Sequence, residues 1–221
     1  MDQYNLQLLT KKLKIAPINI VRENVEIEIL NAIAQSEIST KIVFYDGTAL
    51  RLGFGSPRFS EDLDFLMIKT VQSNELKKIL SNLVKEYFGI IIKDFKDKRK
   101  TLFALINTIH PSLKYPINIK VEISKRKNSI KYEFVPLSSP CSHLVPIIPT
   151  IKIESLKKLK EELIKRRKEP RDWFDLWYIS KYMKVPFKPS IKFPFDKKEF
   201  KRELKRFLPK DKWVLIEQIM T

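Results

Sequence analysis

The stretch FYDGTALRLGFGSPRFSEDLDF, residues 44–65, decides how this chain folds. It starts inside a β-branched and aromatic run at 41–45, turns at Asp46-Gly47, and ends in a second apolar run at 63–68. Three of the four glycines of the chain lie in it. Glycine is favoured where the backbone turns sharply or approaches a ligand closely. The order of strand, glycine turn and strand therefore predicts a β-sheet with a ligand-binding turn.

The flanking patterns predict an α+β (mixed α/β) fold. Apolar residues recur at helical spacing before this stretch and again at 75–88. Further strands are predicted at 90–95, 102–109, 117–124 and 132–135. Pro and Ser then concentrate at 136–149, which predicts irregular structure and a boundary, and the remaining segments have helical spacing. We therefore predict a mixed sheet with N-terminal helices in residues 1–140 and a helical C-terminal subdomain in residues 141–221.

Composition restricts the class of protein. The 221 residues include 43 Lys and Arg against 26 Asp and Glu, and the net charge of +17 would attract polyanions such as RNA. Lysine-rich surfaces also occur in thermophile proteins without such partners. One cysteine and two histidines argue against a zinc site, so any metal should be held by carboxylates. No apolar run approaches the ~20 residues that span a bilayer, and we expect a soluble, cytoplasmic protein without a membrane partner.

Two aspartates point to a metal site. Asp62 and Asp64 are two residues apart at the start of a predicted strand, which places both carboxylates on one face. Such a pair is destabilising unless a cation bridges it, and Mg²⁺ is typically held by one or two carboxylates together with substrate phosphates. An isolated D-x-D is more often a pair of solvated acids, but this one follows a turn whose N–H groups at Gly47 and Thr48 can hold phosphate oxygens. We predict bound Mg²⁺, or Mn²⁺ in its place, with a nucleoside triphosphate (NTP) as substrate.

A third acid is expected on a neighbouring strand. Glu122 lies in INIKVEIS, where it shares the polar face with Lys120 and Ser124. Taken alone, this pattern is that of an ordinary half-buried strand. Together with Asp62 and Asp64, it predicts Glu122 to be a metal ligand or a general base.

The stretch 44–65 resembles the signature of the AbiEii/AbiGii-type nucleotidyltransferase toxins, which belong to the DNA polymerase β-like nucleotidyltransferase superfamily. The likeness extends more weakly to Glu122 and to KKLKEELIKRRKEPRDWFDLW at 157–177. The resemblance implies a nucleotidyltransferase-type mixed sheet with flanking helices, a helical C-terminal part, an NTP donor, and an acceptor that is tRNA in several relatives. It also implies a cognate antitoxin protein that holds the enzyme inactive.

Residue by residue, the resemblance assigns the phosphate-binding turn to Gly47 and Thr48, the metal pair to Asp62 and Asp64, and the third acid to Glu122. The family usually has two glycines in the turn, and Asp46 occupies the first of those places. An additional carboxylate near a triphosphate would be repulsive unless it turned away or joined the metal site.

The C-terminal likeness assigns further residues. The downstream lysine of the family falls on Lys158, expected on the inner face of its helix, with Lys157 and Lys165 as alternatives. The R-D-x-x-D-L segment places Asp172 among the catalytic residues and Asp175 among the nucleotide-binding residues.

Three residues of the central stretch are further predicted nucleotide contacts: Arg51, Arg58 and Ser60. The two arginines could equally be surface charges.

The predicted function is metal-dependent transfer of a nucleoside monophosphate from an NTP to an acceptor hydroxyl of RNA, namely a tRNA 3′ end, by the toxin of a toxin–antitoxin pair. Nucleotidylation of a protein side chain, as in AMPylation, would use the same residues. A non-catalytic RNA-binding or antitoxin-binding module would not need the intact acids. A nuclease would not need the phosphate-binding turn.

Overall fold

The computed structural model describes residues 1–126 and 130–220, which contain a seven-stranded mixed sheet. The strands are β1 (Ile42–Tyr45), β2 (Asp62–Met67), β3 (Ile90–Asp97), β4 (Thr101–Thr108), β5 (Ile117–Ser124), β6 (Tyr132–Pro136) and β7 (Ile147–Ile151). Their order across the sheet is β3-β4-β5-β2-β1-β7-β6. This architecture confirms the predicted fold class of a mixed α/β sheet followed by C-terminal helices.

The helices are α1 (Gln3–Leu13), α2 (Pro17–Ala34), α3 (Asp46–Phe54), α4 (Ser73–Glu86), α5 (Ile153–Arg166), α6 (Pro170–Tyr182), α7 (Lys197–Lys205) and α8 (Val214–Met220). Several begin at a residue that suits a helix start. The carboxylates of Asp2 and Asp196 accept backbone N–H hydrogen bonds at the starts of α1 and α7. Prolines begin α2 and α6, where the missing N–H costs no intrahelical hydrogen bond.

The centre of the sheet positions the acids. Strand β2 pairs antiparallel with β1 and parallel with β5. In the second pairing Asp64 lies opposite Glu122, and Asp62 lies opposite Lys120. Side chains on paired strands that lie opposite one another share a face, so the polar side chains of β2 and β5 meet on one side of the sheet.

The other side of the sheet forms the main core. Ile119, Val121 and Ile123 of β5 are fully buried there, whereas Lys120 and Glu122 alternate with them on the polar face. Side chains of α2 and α4 cover this core. A second core lies among the C-terminal helices and is built from Trp173, Phe174, Phe200, Leu204 and Ile216, among others.

Strand β7 corrects one expectation. The segment 136–149 was expected to be irregular because of its prolines, but β7 starts inside it and pairs with both β6 and β1. Its Pro149 lies opposite Phe134 of the edge strand β6, and β7 meets β1 in register only at Thr150. The sheet thus continues past residue 140, while the division into two domains stays a prediction.

Within residues 1–126 and 130–220, no helix has the length and apolar character needed to cross a membrane.

Candidate active site

A polar cleft of about 650 Å³ lies between the polar face of β2 and β5 and the helices α5 and α6. This volume is within the range of small-molecule binding sites, ~300–1,000 Å³. Most of the predicted site residues line it: Gly47, Arg58, Ser60, Asp62, Asp64, Glu122, Asp172 and Asp175. The cleft therefore brings together residues that are far apart in the sequence.

Three of these residues, Asp62, Asp64 and Glu122, are the sheet acids. They share one face of β2 and β5. The ammonium of Lys120 lies among them, 3.4 Å from Asp62 Oδ2 and 3.8 Å from Glu122 Oε2. Among the described residues, no other lysine or arginine forms an ion pair with the sheet acids. Three carboxylates are thus matched by one cation.

The pKa of Asp64 reflects this surplus of negative charge. Burial is the largest cause, and the nearby carboxylate of Asp46 adds to it, so that the pKa of Asp64 rises to about 7. Lys120 lowers the pKa of Asp64, but by less than burial and the neighbouring carboxylates raise it. Without a further cation, the cleft disfavours the charged form of Asp64.

The glycine turn joins β1 to α3. Thr48 is buried, and its hydroxyl donates to the backbone carbonyl of Asp62 at 2.5 Å, which ties the turn to the start of β2. A Cβ at Gly47 would overlap Arg58 Nη2 and lie 2.8 Å from Ser60 Oγ. Glycine is required here by close packing. Thr48 does not line the cleft, so its side chain positions the turn.

A second set of carboxylates, the helix acids, consists of Asp46 at the start of α3 and Asp172 and Asp175 of α6. Of the described residues, only these form a group of three potential metal ligands whose atoms all lie within 4.8 Å of one another. That arrangement is compatible with a metal ion. However, Lys160 Nζ lies 2.7 Å from Asp172 Oδ1 and 2.9 Å from Asp175 Oδ2, and it also contacts Asp46. An ammonium group already occupies the centre of this set.

Two arginines, together with Lys160, balance the negative charge of the helix acids. Arg58 donates from Nε and Nη2 to the two oxygens of Asp175 at 2.7 and 2.8 Å. Arg167 donates to both oxygens of Asp172 at 2.6 and 3.1 Å. Burial alone would raise the pKa of Asp175, but Arg58 and Lys160 lower it to about 2. Burial would likewise lower the pKa of Lys160, and the surrounding carboxylates raise it instead. The three helix acids are thus matched by three cations.

The lysine assignment requires a correction. Lys158 is exposed and does not line the cleft, whereas Lys160 is 2% exposed and lies at its base. Two residues correspond to roughly 200° around an α-helix, so the two lysines point in nearly opposite directions. A signal was present in the sequence, because Leu156, Lys160 and Ile164 recur every four residues and form the buried stripe of α5.

The two alternative lysines also lie outside the cleft. Lys157 pairs with Glu161 at 2.6 Å, and Lys165 pairs with Glu162 at 2.9 Å. They are solvated pairs of one helix, spaced four and three residues apart.

The two predicted arginine contacts differ in position. Arg51 lies outside the cleft, where it pairs with the buried Glu23 at 2.6 Å and stacks on Phe59, 3.6 Å from the ring centroid. This placement corrects its prediction as a nucleotide contact. Arg58 lines the cleft, but its guanidinium donates to Asp175 and to the carbonyl of Phe59. Its main contacts are therefore structural.

The mixed sheet, the glycine turn beside an acid pair, and the third acid on the parallel neighbour define a protein of the nucleotidyltransferase class. Residues 28–217 match the family described as "Nucleotidyl transferase AbiEii toxin, Type IV TA system", and the chain belongs to this family. Membership implies a nucleotide substrate and an antitoxin partner.

Solved structures support the fold. JHP933 from Helicobacter pylori is 22% identical, with a TM-score of 0.58 over 93% of this chain and 81% of that chain. A putative nucleotidyltransferase from H. pylori is 22% identical, with a TM-score of 0.53 over 90% and 81%. MenT4, a nucleotidyltransferase toxin from Mycobacterium tuberculosis H37Rv, is 16% identical, with a TM-score of 0.61 over 89% and 68%. No curated protein matches the chain.

Proposed function

We propose that the protein is a metal-dependent nucleotidyltransferase that transfers a nucleoside monophosphate from an NTP to a hydroxyl of RNA, with the 3′ end of tRNA as the acceptor. Pyrophosphate is the leaving group. One observation carries this proposal: the sheet acids and Gly47 of the turn line the same cleft, and only one lysine pairs with the three carboxylates among the described residues.

The sheet acids suit Mg²⁺ or Mn²⁺ by their chemistry. All three offer hard oxygen ligands on one face, and after Lys120 is counted they retain the charge that a divalent cation would balance. Lys120 is about one-third exposed, so it can move into solvent when a cation enters. Bound there, the ion would supply positive charge for the triphosphate and for the developing charge of the reacting oxygens.

The residues of the chain would divide the remaining work. Backbone N–H groups at the start of α3, beside Gly47, would hold phosphate oxygens, with the Ser60 hydroxyl close by. Lys160 would contribute positive charge at the base of the cleft. Glu122 is placed to accept the proton of the acceptor hydroxyl.

Asp172 and Asp175 were predicted to act directly on the substrate. Their contacts favour a different role, because each carboxylate is engaged by Lys160 and by one arginine. We assign them the positioning of Lys160.

The choice of RNA as acceptor is supported by charge. The chain carries a net charge of +17. Besides Arg58, four arginines line the cleft: Arg126, Arg166, Arg167 and Arg171. Such a rim would attract a phosphate backbone more strongly than it would an average protein side chain.

The test is label transfer. The protein is incubated with each α-³²P-labelled NTP, Mg²⁺ and total RNA, in parallel with Asp64→Asn and with Lys158→Ala as a control outside the cleft. We expect labelled RNA with the unmodified protein and with Lys158→Ala, and loss of label with Asp64→Asn. Label on protein alone would favour side-chain nucleotidylation. Tight RNA binding without label from any NTP would favour a non-catalytic binding module and contradict the proposal.

A further inference from the structure

Asp46 has a backbone conformation that residues other than glycine rarely adopt. Its φ is 70°, in the left-handed region. The described residues include only two other non-glycine residues with positive φ, Lys14 and Lys184, and neither lines the cleft. Aspartate tolerates this region better than most residues, but the conformation is strained and requires support from its surroundings. Its side-chain contacts are therefore of interest.

The contact of Asp46 is with Lys160. Its Oδ1 is buried and forms an ion pair with the Lys160 ammonium, although it accepts no hydrogen bond of regular geometry. The other two carboxylates around Lys160 hold it at ordinary hydrogen-bonding distances, 2.7 and 2.9 Å. Asp46 is also the most exposed of the three, at 21% against 3% for Asp172 and 1% for Asp175. It is the member of the set that faces the open part of the cleft.

Charge counting shows what Asp46 does to the cleft. Asp172 and Asp175 together face three cations, Lys160, Arg58 and Arg167. Without Asp46, one positive charge would remain unbalanced beside the glycine turn. A surplus positive charge at this place is what a triphosphate oxygen would seek. In the nucleotide-free protein, the Asp46 carboxylate supplies the negative charge that balances this surplus.

We propose that Asp46 is a positioning residue that holds Lys160 in the nucleotide-free protein and competes with the triphosphate for it. The inference rests on the proposed function in one respect, namely that the cleft receives a triphosphate. On binding, a phosphate oxygen replaces the Asp46 carboxylate at Lys160, while Asp172 and Asp175 keep the ammonium in place. Asp46 thereby sets the affinity for the nucleotide.

Two variants separate the charge of Asp46 from its backbone strain. Asp46→Asn removes the charge and keeps a side chain that tolerates positive φ. Asp46→Gly removes the charge and the strain together. Both should bind triphosphate about 3- to 10-fold more tightly, as expected when one competing partly buried charge is removed. In the transfer reaction, KM for the NTP should fall by a similar factor, because the competition precedes the chemical step.

The experiment is a calorimetric titration with inorganic tripolyphosphate, without metal or acceptor. This readout does not depend on catalysis, so it remains informative if label transfer fails. Asp94→Asn serves as the charge-matched control, since Asp94 pairs with Lys96 on the edge strand β3, outside the cleft. A double-mutant cycle adds Lys160→Ala, in which Asp46→Asn should no longer improve binding.

Tighter binding by both Asp46 variants, no change in Asp94→Asn, and loss of the gain in the Lys160→Ala background would support the proposal. Binding equal to or weaker than that of the unmodified protein would overturn it. A change only in melting temperature would also overturn it, since a merely structural role predicts that result. Absence of tripolyphosphate binding in every variant would count against it in the same way.

Discussion

The sheet acids and the helix acids face the same cleft, and each set contains three carboxylates, but their surroundings differ. One lysine accompanies Asp62, Asp64 and Glu122, whereas Lys160, Arg58 and Arg167 surround the helix acids. The difference appears in the pKa values. Asp64 has a pKa raised to about 7, and Asp175 has a pKa lowered to about 2.

In a cleft rich in acids, the cations of the chain bear on where a metal can bind. The helix acids have the tighter cluster of oxygens, within 4.8 Å of one another, but cations of the chain already satisfy them. A metal ion there would have to displace the buried Lys160. The sheet acids are less tightly clustered and remain short of positive charge. For this reason we propose the metal site at the sheet acids, on the ground of unmet charge and not of oxygen spacing.

Stability should fall most when a balanced charge is removed from the helix acids. Asp175→Asn would leave the buried Arg58 and Lys160 without their shared partner, and breaking a buried pair in this way costs about 3–5 kcal/mol of unfolding free energy. Because the folded-state pKa of Asp175 is lowered, its stabilisation is present above the unfolded pKa and is lost as the pH falls towards 2. Urea denaturation at pH 7 would measure the cost. No measurable loss of unfolding free energy would show that the helix acids are no better compensated than the sheet acids.

The next effect concerns added metal. At a Mn²⁺ concentration of about 100 times its Kd, binding to the native state should stabilise the protein by about 2.7 kcal/mol. The gain should disappear in Asp62→Asn and persist in Asp172→Asn, once each is compared with its own metal-free form. Thermal denaturation with and without Mn²⁺ would measure it. The reverse pattern would place the metal among the helix acids.

Asp64→Asn should have a smaller effect, and its sign is opposite to that of Asp175→Asn. The raised pKa means that the ionised form of Asp64 destabilises the metal-free fold, fully above pH 7 and progressively less as the pH falls towards 4. The variant should therefore melt a few degrees higher at pH 8, ~3–6 °C, with a gain that shrinks at pH 5. Melting temperatures in chelator across this pH range would show it. A lower melting temperature at pH 8 would mean that Asp64 is already compensated.

The smallest effect is expected at Lys158 of α5, and Lys160 of the same helix provides the contrast. Lys158→Ala should change the unfolding free energy by no more than about 0.5 kcal/mol, as for an ordinary exposed residue. Lys160→Ala should lower both stability and transfer activity, because it leaves three carboxylates without their central cation. Paired denaturation and label-transfer measurements would compare them. Equal losses of stability and transfer activity in the two variants would support Lys158 as the lysine of the active site.

The sheet side of the cleft could be predicted from the sequence. Period-two alternation places Asp62 and Asp64 on one face, and the same rule applied to β5 adds Glu122. The glycine cluster marks the turn that packs against Arg58 and Ser60. These features are local, or depend only on strands that are close neighbours.

The helix side could not be predicted to the same depth. Arg58 and Asp175 are 117 residues apart, and nothing in either local pattern indicates that they meet. Lys160 was missed because a lysine-rich helix offers many candidates, and choosing among them requires the helical phase of the buried stripe. Strand β7 was missed because Pro149 lies inside it, and proline is uncommon in an interior strand.

In the proposed enzyme the metal binds at the sheet acids while Lys160 holds the helix acids. The most direct measurement is the anomalous signal of Mn²⁺ in crystals of the protein with a non-hydrolysable NTP. We expect a peak in contact with the carboxylates of Asp62 and Asp64, with Lys160 still on Asp172 and Asp175. A peak among Asp46, Asp172 and Asp175, with Lys160 displaced, would contradict it.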